Sequence, residues 1–320
     1  MKIIVLDGYG VNPGDLTWDC LQPFGTISIF DKTATTEDTI TRLQGATVAI
    51  TNKTPITAEI LDACPSVRLV CVTGTGFNVV DHIAAKDRGI PVCNVPDYGT
   101  NAVAQFTFAL LLEVCHQIGH HDKLVHQGRW TSCPTFCFWD TPQMELAGKT
   151  IGIIGFGRIG RAVGTIAKAF GMHVLAYNRS RHPEGEKIAT YADLHTLLQK
   201  SDIISLHCPL TPETESLINQ DTIAVMKDGV ILINTSRGPV LNEADVAQAL
   251  QAGKLKACAV DVAAIEPIPA NSPLLTAPNC FITPHMAWTP AECRQRILDC
   301  TADNIRGWLE GHPVNAVNGF

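Results

Sequence analysis

The sequence has no long run of apolar residues. None of its stretches, in 320 residues, approaches the ~20 apolar residues that a helix needs to cross a bilayer. The first strand-like segment, residues 1–7, carries one positive charge and is followed by no small-residue cleavage site of the secretory kind. These absences predict a cytoplasmic protein with no membrane partner.

Positive charge is also scarce. The chain has 24 Lys and Arg against 31 Asp and Glu, a formal net charge of -7. A general nucleic-acid binder needs clustered Lys and Arg to neutralise phosphates, so nucleic acid is excluded as a partner. Hydrophobic residues make up 46% of the sequence, which at this length predicts about two domains with substantial cores.

Disulfide and metal signatures are missing although the chain has 12 cysteines. There is no C-x-x-C pair, and Cys133 and Cys137 are separated by a segment that contains proline. We expect free thiols that pack as small hydrophobes in a reducing compartment. His116 and His120 have a spacing that can chelate zinc, but no H-E-x-x-H pattern accompanies them, so no metal is predicted.

Strand-like apolar runs alternate with helical or polar segments along the whole chain. This alternation predicts an α/β protein with parallel sheets and short crossovers. The almost wholly apolar residues 105–114 predict a helix buried between domains or subunits. The strand-like runs lie at residues 2–7, 26–30, 47–51, 69–73, 91–94, 150–154, 173–177, 203–207, 230–234, 257–262 and 280–283.

The last predicted helix, residues 291–310, lies beyond the final strand of the second series. If this helix completes the first domain, the chain crosses between domains twice, near residues 97–101 and 287–290. We therefore predict two Rossmann-like, doubly wound domains separated by a cleft where substrate and cofactor meet. Residues 1–99 and 289–320 would form a discontinuous substrate (catalytic) domain, and residues 100–288 a dinucleotide-binding domain.

The motif G-F-G-R-I-G stands between a predicted strand and an amphipathic helix. This placement within a strand–turn–helix–strand unit is what makes the motif specific for a dinucleotide. Gly155 would permit the tight turn, Gly157 the approach of a pyrophosphate to the backbone, and Gly160 close packing of helix on sheet. The start of the helix would then face the phosphates.

An irregular aromatic segment, residues 129–144, joins the two series of strands. It contains Trp130, Phe136, Phe138 and Trp139 and has no regular period. Aromatic segments of this kind are often covered by another subunit, so we expect a homodimer. A loop folded back on its own domain is the alternative.

Three polar side chains follow predicted strands of the second series. They are Arg237, Glu266 and His285. Ligands of open parallel sheets bind at the carboxyl ends of the strands, so these residues are predicted to share one crevice. Arg237 can bind a carboxylate through two parallel bonds, His285 can exchange a proton with a carbonyl oxygen, and Glu266 can orient the imidazole and favour its charged form.

At this point the sequence resembles the D-isomer-specific 2-hydroxyacid dehydrogenases over essentially its whole length. Within that family it looks closest to glycerate dehydrogenases and to hydroxypyruvate (glyoxylate) reductases, partly through residues 136–140. The other matching segments are residues 72–78, 94–96, 100–105, 155–160, 207–211, 234–238, 261–262, 266–267 and 284–285.

The resemblance implies a catalytic set of Arg237, Glu266 and His285, with His285 as the acid and base. It also implies that the backbone around Thr75 and Gly76 helps Arg237 and His285 to bind the substrate. The cofactor contacts that it implies are Thr100, Gly155, Gly157, Arg158, Ile159, Gly160, Asn178, Arg179, Ser180, Cys208, Pro209, Thr214, Thr235, Ser236, Arg237, Asp261, His285 and Ala287.

One position departs from the family's pattern for NAD. An acidic residue usually follows the second strand of the dinucleotide unit and binds the ribose hydroxyls. Here that residue is Asn178, followed by Arg179, Ser180 and Arg181. No carboxylate would repel a 2′-phosphate and two guanidiniums could bind one, so NADP(H) is favoured, with NAD(H) or dual use as the alternative.

The predicted activity is hydride transfer between NAD(P)H and a small 2-keto acid or D-2-hydroxy acid. Hydroxypyruvate with D-glycerate, or glyoxylate with glycolate, is the favoured pair, because no extended basic pocket for a phosphorylated substrate is legible. Two alternatives use the same fold. One is a cofactor-sensing binding protein like the C-terminal-binding-protein corepressors, and the other is a formate or phosphite dehydrogenase.

Overall fold

A computed structural model describes all 320 residues of the chain. The chain divides into two compact units, one formed by Met1–Gly99 with Trp288–Phe320 and the other by Thr100–Ala287. Each unit is built on its own parallel sheet, of five strands in the first and seven in the second. The prediction of two parallel-sheet α/β domains is therefore confirmed.

The strands are short apolar runs that are mostly buried, because a parallel sheet is covered on both faces. All five residues of Val230–Asn234, for example, are buried. In chain order the strands are β1 Lys2–Val5, β2 Thr26–Ile29, β3 Val48–Thr51, β4 Leu69–Val72, β5 Val92–Cys93, β6 Thr150–Ile154, β7 His173–Tyr177, β8 Thr190–Tyr191, β9 Ile203–Leu206, β10 Val230–Asn234, β11 Leu255–Val260 and β12 Cys280–Ile282.

Several helices begin at a side chain that accepts one of their free N–H groups, as Thr35, Asp193 and Asn242 do. In chain order the helices are α1 Thr36–Leu43, α2 Ala58–Ala63, α3 His82–Asp87, α4 Thr100–His116, α5 Ile118–His126, α6 Arg158–Ala169, α7 Pro183–Glu186, α8 Leu194–Lys200, α9 Gln220–Ala224, α10 Glu243–Gln251 and α11 Ala291–Leu309.

The first unit has the strand order β2-β1-β3-β4-β5. Successive residues of a strand point to opposite faces, and the two faces of β1 have separate cores. Ile3 packs in the core that includes Ile305 of α11, whereas Ile4 packs in the core that includes Leu61 of α2. The C-terminal helix α11 thus covers the sheet that begins at the N-terminus.

The second unit has the strand order β12-β11-β10-β9-β6-β7-β8. The chain proceeds from β6 outward to β8, then returns to the other side of β6 and proceeds outward again from β9. The order therefore reverses between β6 and β9, and open α/β sheets bind ligands at the carboxyl ends of the strands on either side of such a point.

Helix α4 is longer than the predicted residues 105–114 and has nine buried residues. It packs in the core that contains α6 and one face of the seven-stranded sheet. No single helix is long and apolar enough to cross a membrane. Only α4 and α5 taken together, bent by 56° at their break, meet that test.

All twelve cysteines are free thiols. Burial raises the pKa of Cys93 to about 12 and that of Cys115 to about 11. Both thiols therefore stay protonated and uncharged at neutral pH. In this form the two cysteines pack as small hydrophobic side chains.

Candidate active site

The glycine turn follows β6 and has a conformation that other residues would not adopt. Gly155 has φ +90°, and a Cβ there would lie 2.4 Å from the backbone nitrogen of Cys208. A Cβ on Gly160 would lie 2.2 Å from the carbonyl oxygen of Gly155. These two glycines let the turn, the helix α6 and the strand end of β9 approach at backbone distance.

Gly157 differs from its neighbours because a Cβ there would meet nothing within 4 Å. It is the residue before α6, and no side chain caps the helix at this end. An uncapped helix start with open space beside it offers backbone N–H groups and a positive dipole end to an anion. The turn therefore fits the pyrophosphate of a dinucleotide.

Asn178 follows β7 and connects two loops. Its Oδ1 accepts a hydrogen bond from the backbone N–H of Phe156 at 3.1 Å, and its Nδ2 donates to the carbonyl of Ser180 at 2.8 Å. Arg179 and Ser180 are exposed. The guanidinium of Arg181 lies over the ring of Tyr191, 5.6 Å from its centroid. The amide thus fixes the exposed loop against the glycine turn and brings no negative charge to it.

Hydroxyl groups predicted to contact the cofactor lie after β9 and β10. The hydroxyls of Thr214 and Ser236 form hydrogen bonds within their own loops. Thr214 Oγ1 donates to the carbonyl of Pro209 at 2.7 Å, and Ser236 Oγ donates to Asn234 Oδ1 at 2.8 Å. Thr235 Oγ1 lies 3.1 Å from Thr107 Oγ1. Their contact with a cofactor stays a prediction.

His207, which the sequence did not single out, precedes the buried Cys208 at the end of β9. Its Nε2 lies 2.8 Å from Ser205 Oγ, and burial lowers the pKa of His207 to about 3. This imidazole stays neutral at physiological pH, so it is not a second proton donor beside His285.

Arg237 follows β10, and its side chain is exposed. The guanidinium donates from Nη1 to the carbonyl of Ser236 at 2.7 Å and pairs with no carboxylate of the chain. Because a guanidinium has five N–H donors, most of them remain for a ligand. The arrangement suits an incoming carboxylate.

Glu266 and His285 form a pair, although they come from different strand ends. Glu266 Oε2 lies 2.7 Å from His285 Nδ1, and Glu266 Oε1 accepts from the backbone N–H of Ala263 at 3.2 Å. The ring's other nitrogen, Nε2, has no such partner in the chain. The carboxylate fixes the ring through Nδ1 and leaves Nε2 available to exchange a proton with a ligand.

The backbone of His285 has φ +54°, in the left-handed region. A non-glycine residue there costs on the order of 1–3 kcal/mol, so its surroundings must hold it. The buried carboxylate of Asp261 does so, since it accepts from the N–H groups of Met286 and Ala287, both at 2.8 Å, and from the Thr283 hydroxyl at 2.6 Å. Asp261, predicted as a cofactor contact, thus holds the turn that presents His285.

The remaining predicted residues belong to both units. Thr75 and Gly76 are exposed in the first unit, after β4, where Thr75 Oγ1 donates to the carbonyl of Val95 at 3.0 Å. Thr100 begins α4, and Ala287 is buried. The role of Thr75 and Gly76 in substrate binding stays a prediction.

The histidines with metal-binding spacing face the aromatic segment instead of each other. His116 Nδ1 lies 3.1 Å from Gln143 Oε1, and His120 Nε2 lies 3.2 Å from Asp140 Oδ2. Arg129 also donates to the Asp140 carboxylate. The two histidine contacts attach residues 129–144, which contain no helix or strand, to the end of α4 and to α5.

The sheet order and the glycine turn of the second unit are those of dinucleotide-binding α/β proteins. Residues 108–287 match the family model described as "D-isomer specific 2-hydroxyacid dehydrogenase, NAD binding domain". The chain belongs to the D-isomer specific 2-hydroxyacid dehydrogenase family.

Relatives agree with this assignment. The chain is 52% identical to a hydroxypyruvate reductase of Blautia hydrogenotrophica, over 99% of this chain and 100% of the relative. It is 38% identical to a glycerate dehydrogenase of Methylorubrum extorquens, over 90% of each. Among solved structures, an acyclic imino acid reductase in complex with NADPH and D-Arg is 30% identical, with a TM-score of 0.83, over 99% of this chain and 100% of that one.

The protein is therefore an oxidoreductase that transfers hydride between a nicotinamide cofactor and a small 2-hydroxy acid or 2-keto acid.

Proposed function

We propose that the protein interconverts hydroxypyruvate and D-glycerate, with glyoxylate as a further substrate. The relative at 52% identity, named hydroxypyruvate reductase, supports the choice of substrate. The observation that supports the chemistry most strongly is the His285–Glu266 contact of 2.7 Å at the carboxyl ends of strands in the dinucleotide-binding sheet.

Each polar group then has one task. The bound nicotinamide supplies or accepts the hydride. Arg237 binds the substrate carboxylate through its free N–H groups and so orients the keto carbon. His285 donates the proton of Nε2 to the keto oxygen during reduction and takes it back in the reverse direction. Glu266 accepts from Nδ1 throughout, which fixes the ring and stabilises its charged form.

The pair predicts a specific pH dependence. Reduction needs the imidazolium, so its rate should fall as pH rises and His285 loses its proton. Glu266→Gln keeps a hydrogen-bond acceptor but removes the charge, so we expect the fall to move to lower pH. The measurement is kcat for hydroxypyruvate reduction against pH. A midpoint shared by the variant and the parent would contradict the role given to Glu266.

A panel of substrates tests the proposed activity. Purified protein is mixed with NADPH or NADH and hydroxypyruvate, glyoxylate or pyruvate, and the absorbance of the reduced cofactor is followed. We expect turnover with hydroxypyruvate and a lower kcat/KM with pyruvate. Oxidation of formate or phosphite with NAD(P)⁺, in the absence of keto-acid reduction, would replace this proposal, and no turnover with any compound would end it.

For the cofactor we propose a preference for NADP(H). The support is the neutral Asn178 amide at the end of β7, followed by the exposed Arg179, which can pair with a 2′-phosphate. The hydroxyl of Thr211 and, less strongly, the charge of Arg179 lower the pKa of Glu213, so Arg179 lies within range of one carboxylate. The solved acyclic imino acid reductase that this chain resembles is in complex with NADPH.

Asn178→Asp should reverse this preference. The new carboxylate would repel a 2′-phosphate and accept hydrogen bonds from the ribose hydroxyls of NADH. We expect the ratio of kcat/KM for NADPH to that for NADH to fall at least tenfold. Asn178→Ala removes both hydrogen bonds of the amide, including the one donated to Ser180 that aspartate would also lose, without adding charge. An equal fall in that control would show that charge is not the cause.

We also propose a homodimer formed through the second unit. Phe136 is 89% exposed and Trp139 66%, and α4 and α6 border an apolar groove of about 730 Å³ lined by Phe108, Leu112 and Ile166 among others. Exposed aromatic side chains and an apolar groove are complementary surfaces that a second copy can cover. Sedimentation equilibrium should give twice the chain mass for the parent and a weaker association for Phe136→Asp. A monomeric parent would overturn the proposal.

A further inference from the structure

Glu243, the first residue of α10, has a carboxylate that binds the loop between β11 and β12. Its Oε1 accepts from the backbone N–H of Ala264 at 2.7 Å. Its Oε2 accepts from the hydroxyl of Ser272 at 3.0 Å. One side chain therefore holds both ends of residues 264–272, the segment that carries Glu266.

The start of the segment is also fixed on a second side, by Gly238, which directly follows Arg237. A Cβ on Gly238 would lie 1.9 Å from the carbonyl carbon of Ala263. The chain after β10 and the chain after β11 thus touch at backbone distance. Glu243 adds a hydrogen bond beside this contact, because its carboxylate accepts from the N–H of Ala264, the next residue.

Much of the segment is exposed to solvent. Ala264, Ile265 and Pro267 are exposed, whereas Ser272 is only 5% exposed. A loop with few buried contacts opens locally at low cost. A 2.7 Å contact between Glu266 and His285 needs a carboxylate held within a few tenths of an ångström, and a misplacement of about 1 Å can cost about 100-fold in rate.

We propose that Glu243 is a positioning residue for the Glu266–His285 pair, acting through the segment 264–272. The inference rests on the proposed function of that pair. The hydrogen bonds of Glu243 go to the backbone of Ala264 and the hydroxyl of Ser272, and through them it acts on the pair.

Other titratable groups lie near the two carboxylates. Asp245, on the same helix, accepts from the backbone N–H of Gln220 at 2.9 Å and so faces the start of α9. The thiol of Cys280, on β12, lies close enough to Glu243 for an electrostatic interaction between them. Asp261 lies under the turn of His285, where it accepts from the N–H groups of Met286 and Ala287.

The experiment compares two variants at Glu243 with a matched control. Glu243→Ala removes both contacts. Glu243→Gln retains an oxygen for the Ala264 N–H, and the Ser272 hydroxyl can rotate to accept from the new amide. Asp245→Ala removes a carboxylate from the same first turn of α10 without touching residues 264–272. For each variant, kcat for hydroxypyruvate reduction is measured against pH, together with the Kd for NADPH and Tm.

For Glu243→Ala we expect kcat to fall about tenfold and the pH midpoint of reduction to move in the same direction as in Glu266→Gln, with the Kd for NADPH unchanged. Glu243→Gln should recover most of kcat and the parent midpoint, and Asp245→Ala should keep both. The double variant Glu243→Ala with Glu266→Gln should have the midpoint of Glu266→Gln alone, since one acts through the other.

A lower Tm for Glu243→Ala with the parent midpoint would overturn the inference, as would a further midpoint shift in the double variant. Glu266→Gln separates this failure from that of the proposed function. If Glu266→Gln itself leaves the midpoint in place, the role of the pair is wrong. If Glu266→Gln moves it and Glu243→Ala does not, only the role of Glu243 is wrong.

Discussion

His285→Asn is expected to lower kcat for hydroxypyruvate reduction by about 10²- to 10⁴-fold, the range for loss of a positioned general acid. Asparagine is the replacement of choice because His285 has φ +54°, and asparagine adopts the left-handed region more readily than most residues. The turn held by Asp261 should therefore persist while the proton donor is lost. Steady-state kinetics in both directions measure the effect.

Two controls show whether chemistry alone has changed. The Kd for NADPH and Tm should change far less than kcat, since the variant keeps the glycine turn and the core. Added imidazole should restore part of the rate, because it can occupy the vacated space and donate a proton. A variant with more than a tenth of the parent kcat would show that His285 is not the acid.

Arg237→Lys is expected to raise the KM for hydroxypyruvate about 100-fold. A lysine keeps the charge but offers one ammonium in place of two parallel N–H groups. A charge-assisted hydrogen bond contributes about 1.5–3 kcal/mol, and about 1.4 kcal/mol is a factor of ten. The loss should fall on the keto acid and leave the KM for NADPH within about twofold.

Arg179→Ala is the reciprocal control, since this exposed arginine follows β7 instead of β10. It should raise the KM for NADPH and leave that for hydroxypyruvate in place. If Arg237→Lys weakened both ligands equally, the cause would be a folding defect and not the loss of a carboxylate contact.

Much of the fold can be predicted from the sequence because the strands are apolar runs bounded by glycine, proline or polar residues. The predicted residues 150–154 and 173–177 coincide with β6 and β7. The strand predicted at residues 257–262 lies two residues earlier in the structure, where β11 is Leu255–Val260. Asp261 lies just beyond the strand, and its carboxylate accepts from the turn at His285, a contact that an apolar pattern does not predict.

The three polar residues of the candidate site could be named because each follows a strand within six residues. The groups that hold them in place could not. In the sequence, Glu243 is an acidic residue in the first turn of a helix. The helix dipole alone is a sufficient reason for a carboxylate at that position. Its contacts with Ala264 and Ser272 join residues more than twenty positions apart in sequence, and only the packing of α10 beside the loop brings them together.

Isotope transfer tests the assigned chemistry in one experiment. Hydroxypyruvate is reduced with NADPH that carries deuterium in place of both hydrogens at C4 of the nicotinamide, and the glycerate is analysed by mass spectrometry and chiral separation. We expect one deuterium at C2 of D-glycerate for the parent protein and almost no product for His285→Asn. Cofactor oxidation without deuterated glycerate, or deuterated glycerate formed by His285→Asn at the parent rate, would contradict the assignment.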